Sequence, residues 1–290
     1  MVIRKPFVAG QFYESEPKML DIQINSCFTS GLGPGSLPSS KPSKKVFGCI
    51  SPHAGYQFSV PAAAFSYKAL AESKFPSTFV VLGPSHKGYG PDVATLTSDW
   101  ETPLGVVKAD RKFISKLIGK CSFVVEDSSA HSHEHSIEVQ LPFLQFIFKK
   151  HAKNLKFVPI SLGSTSVADL KKLGESIASI NKDVCVIASS DFTHYGHAYG
   201  YVPFKDKVKE RLYSLDKEAI DAISNLDVDS FVSHIKKVRA TICGYAPIIA
   251  TIFAVKALGG RNGKLLKYYT SGDVVGDYSN AVGYGSVVFV

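Results

Sequence analysis

Three short segments of this chain end in side chains able to bind a metal: Ser51-Pro52-His53-Ala54-Gly55-Tyr56, Gly83-Pro84-Ser85-His86 and Thr241-Ile242-Cys243-Gly244. The first two follow apolar, β-branched runs, Val46–Ile50 and Thr78–Leu82. A histidine a few residues past a buried strand lies at its carboxyl end, the edge where open α/β sheets bind ligands. Two imidazoles and a thiolate gathered there would make a three-ligand site with open positions. Each histidine taken singly also reads as a turn residue bonded to backbone.

A third apolar strand runs into Ser189-Ser190-Asp191-Phe192-Thr193-His194. Asp191 and His194 have the chemistry of an acid–base pair beside a metal, with the carboxylate able to fix the imidazole tautomer. The alternative is a capped loop entering the next element. Cys243 precedes a long apolar helix, and a thiol at a helix N-terminus is expected to have a lowered pKa. The alternative is a small packing residue.

The densest cluster is His131-Ser132-His133-Glu134-His135-Ser136-Ile137-Glu138. His131-x-x-Glu134-His135 matches an inverted zinc-peptidase pattern, which needs both histidines on one face of an established helix. The residues upstream read as loop, and helical spacing starts only at Ile137. The segment is therefore expected to be loop plus first helical turn, with Glu134, His135 and Glu138 supporting the site from behind. Neither a Gly-x-Ser-x-Gly elbow nor a phosphate-binding glycine loop opening a helix is present.

The elements that must position these groups alternate. Strands are expected at Val46–Ile50, Thr78–Leu82, Phe123–Val125, Phe157–Ser161, Val184–Ala188, Lys264–Tyr269 and Ser286–Val290, with a hairpin of Val93–Leu96 and Gly105–Lys108. Helices are expected near Pro17–Phe28, Ser59–Ser73, Arg111–Gly119, Ile137–Lys150 (with a kink at Pro142), Val167–Ile180, Pro203–Leu226, Val228–Lys237 and Tyr245–Leu258. Alternation of this kind, with near-continuous apolar strands, predicts an α/β fold: a central, mainly parallel or mixed sheet covered by helices on both faces. Gly31–Lys45 reads as an exposed connection, too near the start to bound a domain, so residues 1–290 are expected to form one α/β domain.

Composition bounds the function. The chain has 290 residues, 45% of them hydrophobic, and a formal net charge of +8. The excess is mostly lysine in dispersed pairs such as Lys171-Lys172, the pattern of solvated helix ends and not of a nucleic-acid footprint. The five cysteines form no Cys-x-x-Cys pair. Cys49 and Cys185 sit inside apolar strands as inert thiols, which fits a reducing compartment. No secretory h-region opens the chain, and the apolar run Ala246–Leu258 is too short to span a bilayer. A cytoplasmic protein without membrane or nucleic-acid partners is expected.

Six segments in order carry a resemblance: Ala9-Gly10-Gln11-Phe12-Tyr13, Pro52-His53-Ala54-Gly55-Tyr56, Leu82-Gly83-Pro84-Ser85-His86, Glu134-His135-Ser136-Ile137-Glu138 with Leu141-Pro142, Ser189-Ser190-Asp191-Phe192 with His194, and Thr241-Ile242-Cys243-Gly244. Together they resemble the Memo family over nearly the whole chain. The resemblance implies a fold similar to class III extradiol dioxygenases, whose iron(II) is held by two histidines and a glutamate. Its matching metal ligands here are His53, His86 and Cys243, with His194 as the acid–base histidine beside Asp191. Iron(II), copper or zinc is the implied metal. A thiolate in place of the carboxylate favours copper(I) or zinc, or changes the potential of bound iron. The implied activity is a non-haem, dioxygenase-like oxidoreduction of a small substrate. The other reading is a non-catalytic module that binds a peptide or small ligand. Archaeal and bacterial members look like partners of an AMMECR1-type protein and a radical-SAM protein.

Overall fold

The structure, a computed structural model, describes residues 3–39 and 45–290. The expected connection Gly31–Lys45 therefore lies partly outside the described residues. In chain order the elements begin with α1 (Pro17–Thr29), β1 (Gly48–Ser51), α2 (Tyr56–Ala71) and β2 (Thr78–Pro84). There follow β3 (Val93–Thr95), β4 (Trp100–Thr102), β5 (Gly105–Ala109), α3 (Arg111–Lys120), β6 (Val125–Glu126), α4 (Ser129–Ser132) and α5 (Leu141–Ile147). The second half runs β7 (Lys156–Leu162), α6 (Val167–Ile180), β8 (Val184–Ser189), β9 (His194–Gly196), α7 (Val208–Ser224) and α8 (Val228–Val238). It closes with α9 (Tyr245–Leu258), β10 (Gly263–Thr270), α10 (Ser271–Val275) and β11 (Asn280–Phe289).

The strands form a mixed sheet whose main run is β10-β11-β1-β8-β2-β7-β3-β6. Its centre, β1, β8, β2 and β7, is parallel, and β11 and β3 flank it antiparallel. The central strands are buried on both faces, so apolar residues run continuously and successive side chains serve opposite cores. Val80, Leu82, Val186 and Ala188 face a core with α3, α6 and α9. Phe79, Val81, Cys185 and Ile187 face a second core with α1, α2 and α5. Helix α9 is apolar along most of its length because most of it is enclosed, whereas α6 carries one apolar stripe and is capped by Ser166, whose hydroxyl accepts from the Asp169 amide.

Three expectations need correction. Strand β5 pairs with β4, and β3 pairs instead with β7 and β6, so the hairpin is 100–109. Pro142 does not kink a helix. It lies in the first turn of α5, where its missing N–H has no intrahelical partner to lose, and residues 138–140 before it form a separate 3-10 turn. Helix α7 starts at Val208, after Lys207 at φ +46°, several residues later than its periodicity suggested.

The N-terminal segment straps the 131–138 region to the sheet. The Arg4 guanidinium pairs with the Glu138 carboxylate, donates to the His131 and Glu134 carbonyls, and lies 4.4 Å over the Trp100 ring. Glu138 also accepts from the Phe7 and Val8 amides and the Tyr13 hydroxyl. Both charges are shut away from water. Removing one partner of such a pair leaves the other uncompensated. Arg4→Met is therefore expected to lower unfolding free energy by about 3–5 kcal/mol, read by urea denaturation; an unchanged midpoint would contradict the strap's importance.

Candidate metal centre

Strand β8 lies between β1 and β2, with Ser51 paired to Ser189 and Leu82 to Ala188. Because all three run parallel and in step, their carboxyl ends release His53, Asp191 and His86 side by side. The His53 amide donates to Asp191 Oδ1 at 2.8 Å, tying the outer loop to the central one. The His86 amide donates to Glu134 Oε2 at 2.7 Å. Glu134 Oε1 in turn accepts from the His135 and Ser136 amides, each at 2.8 Å. Gly83 permits this approach: a Cβ there would lie 2.4 Å from Ser136 Oγ and 2.8 Å from Ile137 Cγ1. Cys243 arrives from the turn before α9, docked through the Gly244 amide on Ser190 Oγ at 3.0 Å. Its sulfur stands 3.2 Å from His53 Nε2.

The hydrogen bonds fix which ring nitrogens carry protons. Ser189 Oγ donates to the Ser136 carbonyl at 2.6 Å, so it can only accept from Gln140 Nε2 at 2.8 Å and from His53 Nδ1 at 2.9 Å. His53 thus carries its proton on Nδ1 and leaves the Nε2 lone pair toward Cys243. His86 Nδ1 lies 2.9 Å from the Glu134 carboxylate. His194 Nδ1 faces the Phe192 and Thr241 carbonyls, each at 3.0 Å. His86 and His194 likewise turn Nδ1 to an acceptor, the arrangement in which metal-binding histidines are oriented by a partner on the other nitrogen.

The local electrostatics agree. Burial first, then His86, His135 and His194, hold the His53 pKa well below the usual range. Burial and His86 lower His135 to about 4. Although burial opposes it, bonding to His86 and its neighbours brings Glu134 down to about 2. At neutral pH His53 and His135 are neutral donors and Glu134 is ionised.

Two groups of ligand atoms lie within 4.8 Å of one another: His53, His86 and His135, and His53, Asp191 and Cys243. His53 belongs to both. The expected trio of His53, His86 and Cys243 is divided between the two groups and does not by itself meet that spacing. Imidazole nitrogen and cysteine sulfur donors fit a borderline or soft metal ion. The groups open on a cleft of about 480 Å³ lined by His53, His86, His135, Asp191 and His194, with Phe12 and Tyr199 among its aromatic walls.

Other expectations change. The Cys243 thiol is not lowered by the helix terminus: burial and the neighbouring Asp191 raise its pKa well above the free value. A coordinated cation reverses that balance, because a ligating thiol is deprotonated. Burial likewise raises Asp191, which lies 3.8 Å from His53 Nε2 and joins a ligand group directly. Glu138 does not support the site from behind; its carboxylate turns to Arg4 and the N-terminal amides. The peptidase pattern fails because the His131 ring is buried edge-on to Trp100, while His135 faces the cleft. His135 was expected only behind the ligands, and the structure brings it among them. Of the orienting pair, Ser189 lay inside a resembling segment without a role of its own, and Gln140 had no signal in the sequence, since neither residue type marks a site alone.

Comparisons with known proteins show the family and the fold. A family model described as Memo-like protein matches residues 4–288. The chain is 43% identical over 292 residues to a MEMO1 family protein of Methanopyrus kandleri, covering 99% of this chain and 98% of that one. It is 41% identical over 292 residues to a MEMO1 family protein of Nitrosopumilus maritimus, covering 100% of both. A crystal structure of an uncharacterized Escherichia coli K12 protein superposes with a TM-score of 0.56 at 13% identity, covering 85% of this chain and 100% of that one, and shares the fold.

The buried histidines also set a pH dependence. His131 has both ring nitrogens unpartnered, and burial, then Arg4, lowers its pKa from 6.5 to about 4. A depressed histidine contributes stability above its unfolded pKa and loses it as pH falls through the folded one. For His131 that is roughly 3 kcal/mol, lost progressively below about pH 6.5. Asp216, raised by burial from 3.8 to about 6, acts oppositely, its contribution declining as pH rises between those values. His131→Phe removes no side-chain hydrogen bond. Urea melts should find it at least as stable as the parent at pH 7, with roughly 3 kcal/mol less acid sensitivity between pH 6.5 and 4; superimposable acid limbs would contradict the assignment.

Proposed function

The chain belongs to the Memo-like protein family, and from that premise we propose that it is a metal-binding protein whose centre performs redox chemistry on a small substrate in the cleft. His53, His86 and Cys243 are the ligands in this reading, with Asp191 beside them. The observation that carries it is the pairing of a free His53 Nε2 with Cys243 Sγ at 3.2 Å, while Ser189 holds the opposite ring nitrogen. Iron(II) or copper would supply one-electron and oxygen chemistry there, and zinc would supply Lewis acidity.

The remaining roles belong to the chain. The cleft of about 480 Å³ is in the size range of small-molecule sites. Its aromatic walls, Phe12, Phe58, Tyr199 and Tyr284, would exclude water from the reacting group and stack against a flat substrate. His194, its Nδ1–H engaged by two carbonyls, is oriented to take a proton at Nε2 from a substrate hydroxyl. Asp191 holds the His53 loop through its amide and keeps that ring beside the thiol.

A second reading follows from the same walls. Their aromatic surface could hold a peptide or small ligand without turnover, the protein serving as one component of an assembly. The AMMECR1-type and radical-SAM partners implied by the resemblance belong to this proposal.

The test begins with protein purified without a histidine tag. Metal analysis should find bound metal in the parent chain and at least about tenfold weaker binding in His53→Ala and His86→Ala. Equal metal content in all three would remove the metal-centre reading. Anaerobic loading with iron(II) or copper(I), followed by oxygen and a catechol panel, should give oxygen uptake with a yellow ring-opened product. Binding of catechols without oxygen uptake by the loaded protein would favour the binding module.

A further inference from the structure

We propose that His135 is itself a metal ligand, completing with His53 and His86 an all-imidazole set that takes a divalent cation of the zinc type apart from Cys243. This rests on the metal-centre reading above and adds a second position within it. The three ring nitrogens lie within 4.8 Å of one another. The His135 ring stacks on His86 at 4.6 Å and 14° and stands across His53 at 5.5 Å and 83°. Phe12 closes its outer side at 4.7 Å.

His135 differs from its neighbours in being uncommitted. Ser189, Glu134 and the carbonyls of Phe192 and Thr241 each hold one nitrogen of His53, His86 and His194. Among the described residues, no hydrogen bond reaches either ring nitrogen of His135; its Nδ1 is 3.6 Å from Glu134 Oε1, outside bonding distance. Its backbone, in contrast, is pinned by its amide on that same carboxylate at 2.8 Å. A ring with a fixed base, free nitrogens and a face on the cleft is free to turn onto an ion.

The donor chemistry separates the two sets. Imidazoles suit zinc, nickel, cobalt and copper(II), and a thiolate draws copper(I). Both groups contain His53, so one ion positioned for the imidazoles and another positioned for Cys243 compete for the same nitrogen. Nitrogens sharing a tetrahedral ion at about 2.0–2.1 Å stand roughly 3.3 Å apart, and the three here lie within 4.8 Å of one another.

Cobalt(II) is the probe, titrated anaerobically into untagged full-length protein and followed by visible and near-ultraviolet absorption. The parent should bind it without a thiolate-to-cobalt charge-transfer band. Cys243→Ser should bind within about threefold of the parent, while His135→Phe and His135→Gln should each weaken binding by at least about tenfold. Thermal unfolding of the metal-free variants verifies that each is folded, and the glutamine variant serves if the phenylalanine one is not. Parent-like cobalt affinity in a folded His135 variant, or a charge-transfer band in the parent that Cys243→Ser removes, would overturn the proposal. His53→Ala separates the two readings. If it abolishes cobalt binding while His135 variants bind normally, only this inference falls; if it changes nothing, the metal centre falls with it.

Discussion

One hydroxyl proton organises this molecule's chemistry. Ser189 gives its hydrogen to the Ser136 carbonyl, and from that moment it can only accept from Gln140 and from His53. The direction of that single bond forces the His53 proton onto Nδ1 and turns the lone pair of Nε2 toward Cys243. Ser189 is the last residue of β8, the strand between those that carry His53 and His86. The sheet therefore delivers the orienting hydroxyl and the groups it orients at one edge.

The 134–140 segment joins the parts. Glu134 holds His86 by backbone and ring, the Ser136 carbonyl takes the Ser189 proton, and Gln140 donates both to that hydroxyl and to the Pro52 carbonyl. Glu138, at the middle of the segment, anchors the N-terminal strap through Arg4, Tyr13 and two amides. That strap carries Phe12 onto His135. A disturbance of the buried Arg4–Glu138 pair is thus linked to the candidate ligands through covalent neighbours and one ring contact, and stability and site geometry share the same residues.

Much of the architecture was legible because the central strands are enclosed on both faces and read as unbroken apolar runs. Helices α6 and α9 fell at their expected limits. The short strands β4 and β9 were not legible, since three residues each carry too little periodicity and depend on tertiary partners. The loops carrying His53, His86 and Asp191 were found from their place after strands. What escaped was the division of the candidate ligands into two groups around His53 and the place of His135 beside His53 and His86, which depend on where Glu134 pulls a segment with no regular structure. The Cys243 pKa was misjudged because burial and Asp191 outweigh the favourable end of α9.

The central claim is that His53 keeps its proton on Nδ1 and turns the Nε2 lone pair toward Cys243. Nitrogen-15 spectra of metal-free protein labelled at histidine measure this directly at neutral pH. The account requires a protonated Nδ1 and an unprotonated Nε2 resonance for His53. A His53 ring protonated on Nε2, or on both nitrogens, would contradict it.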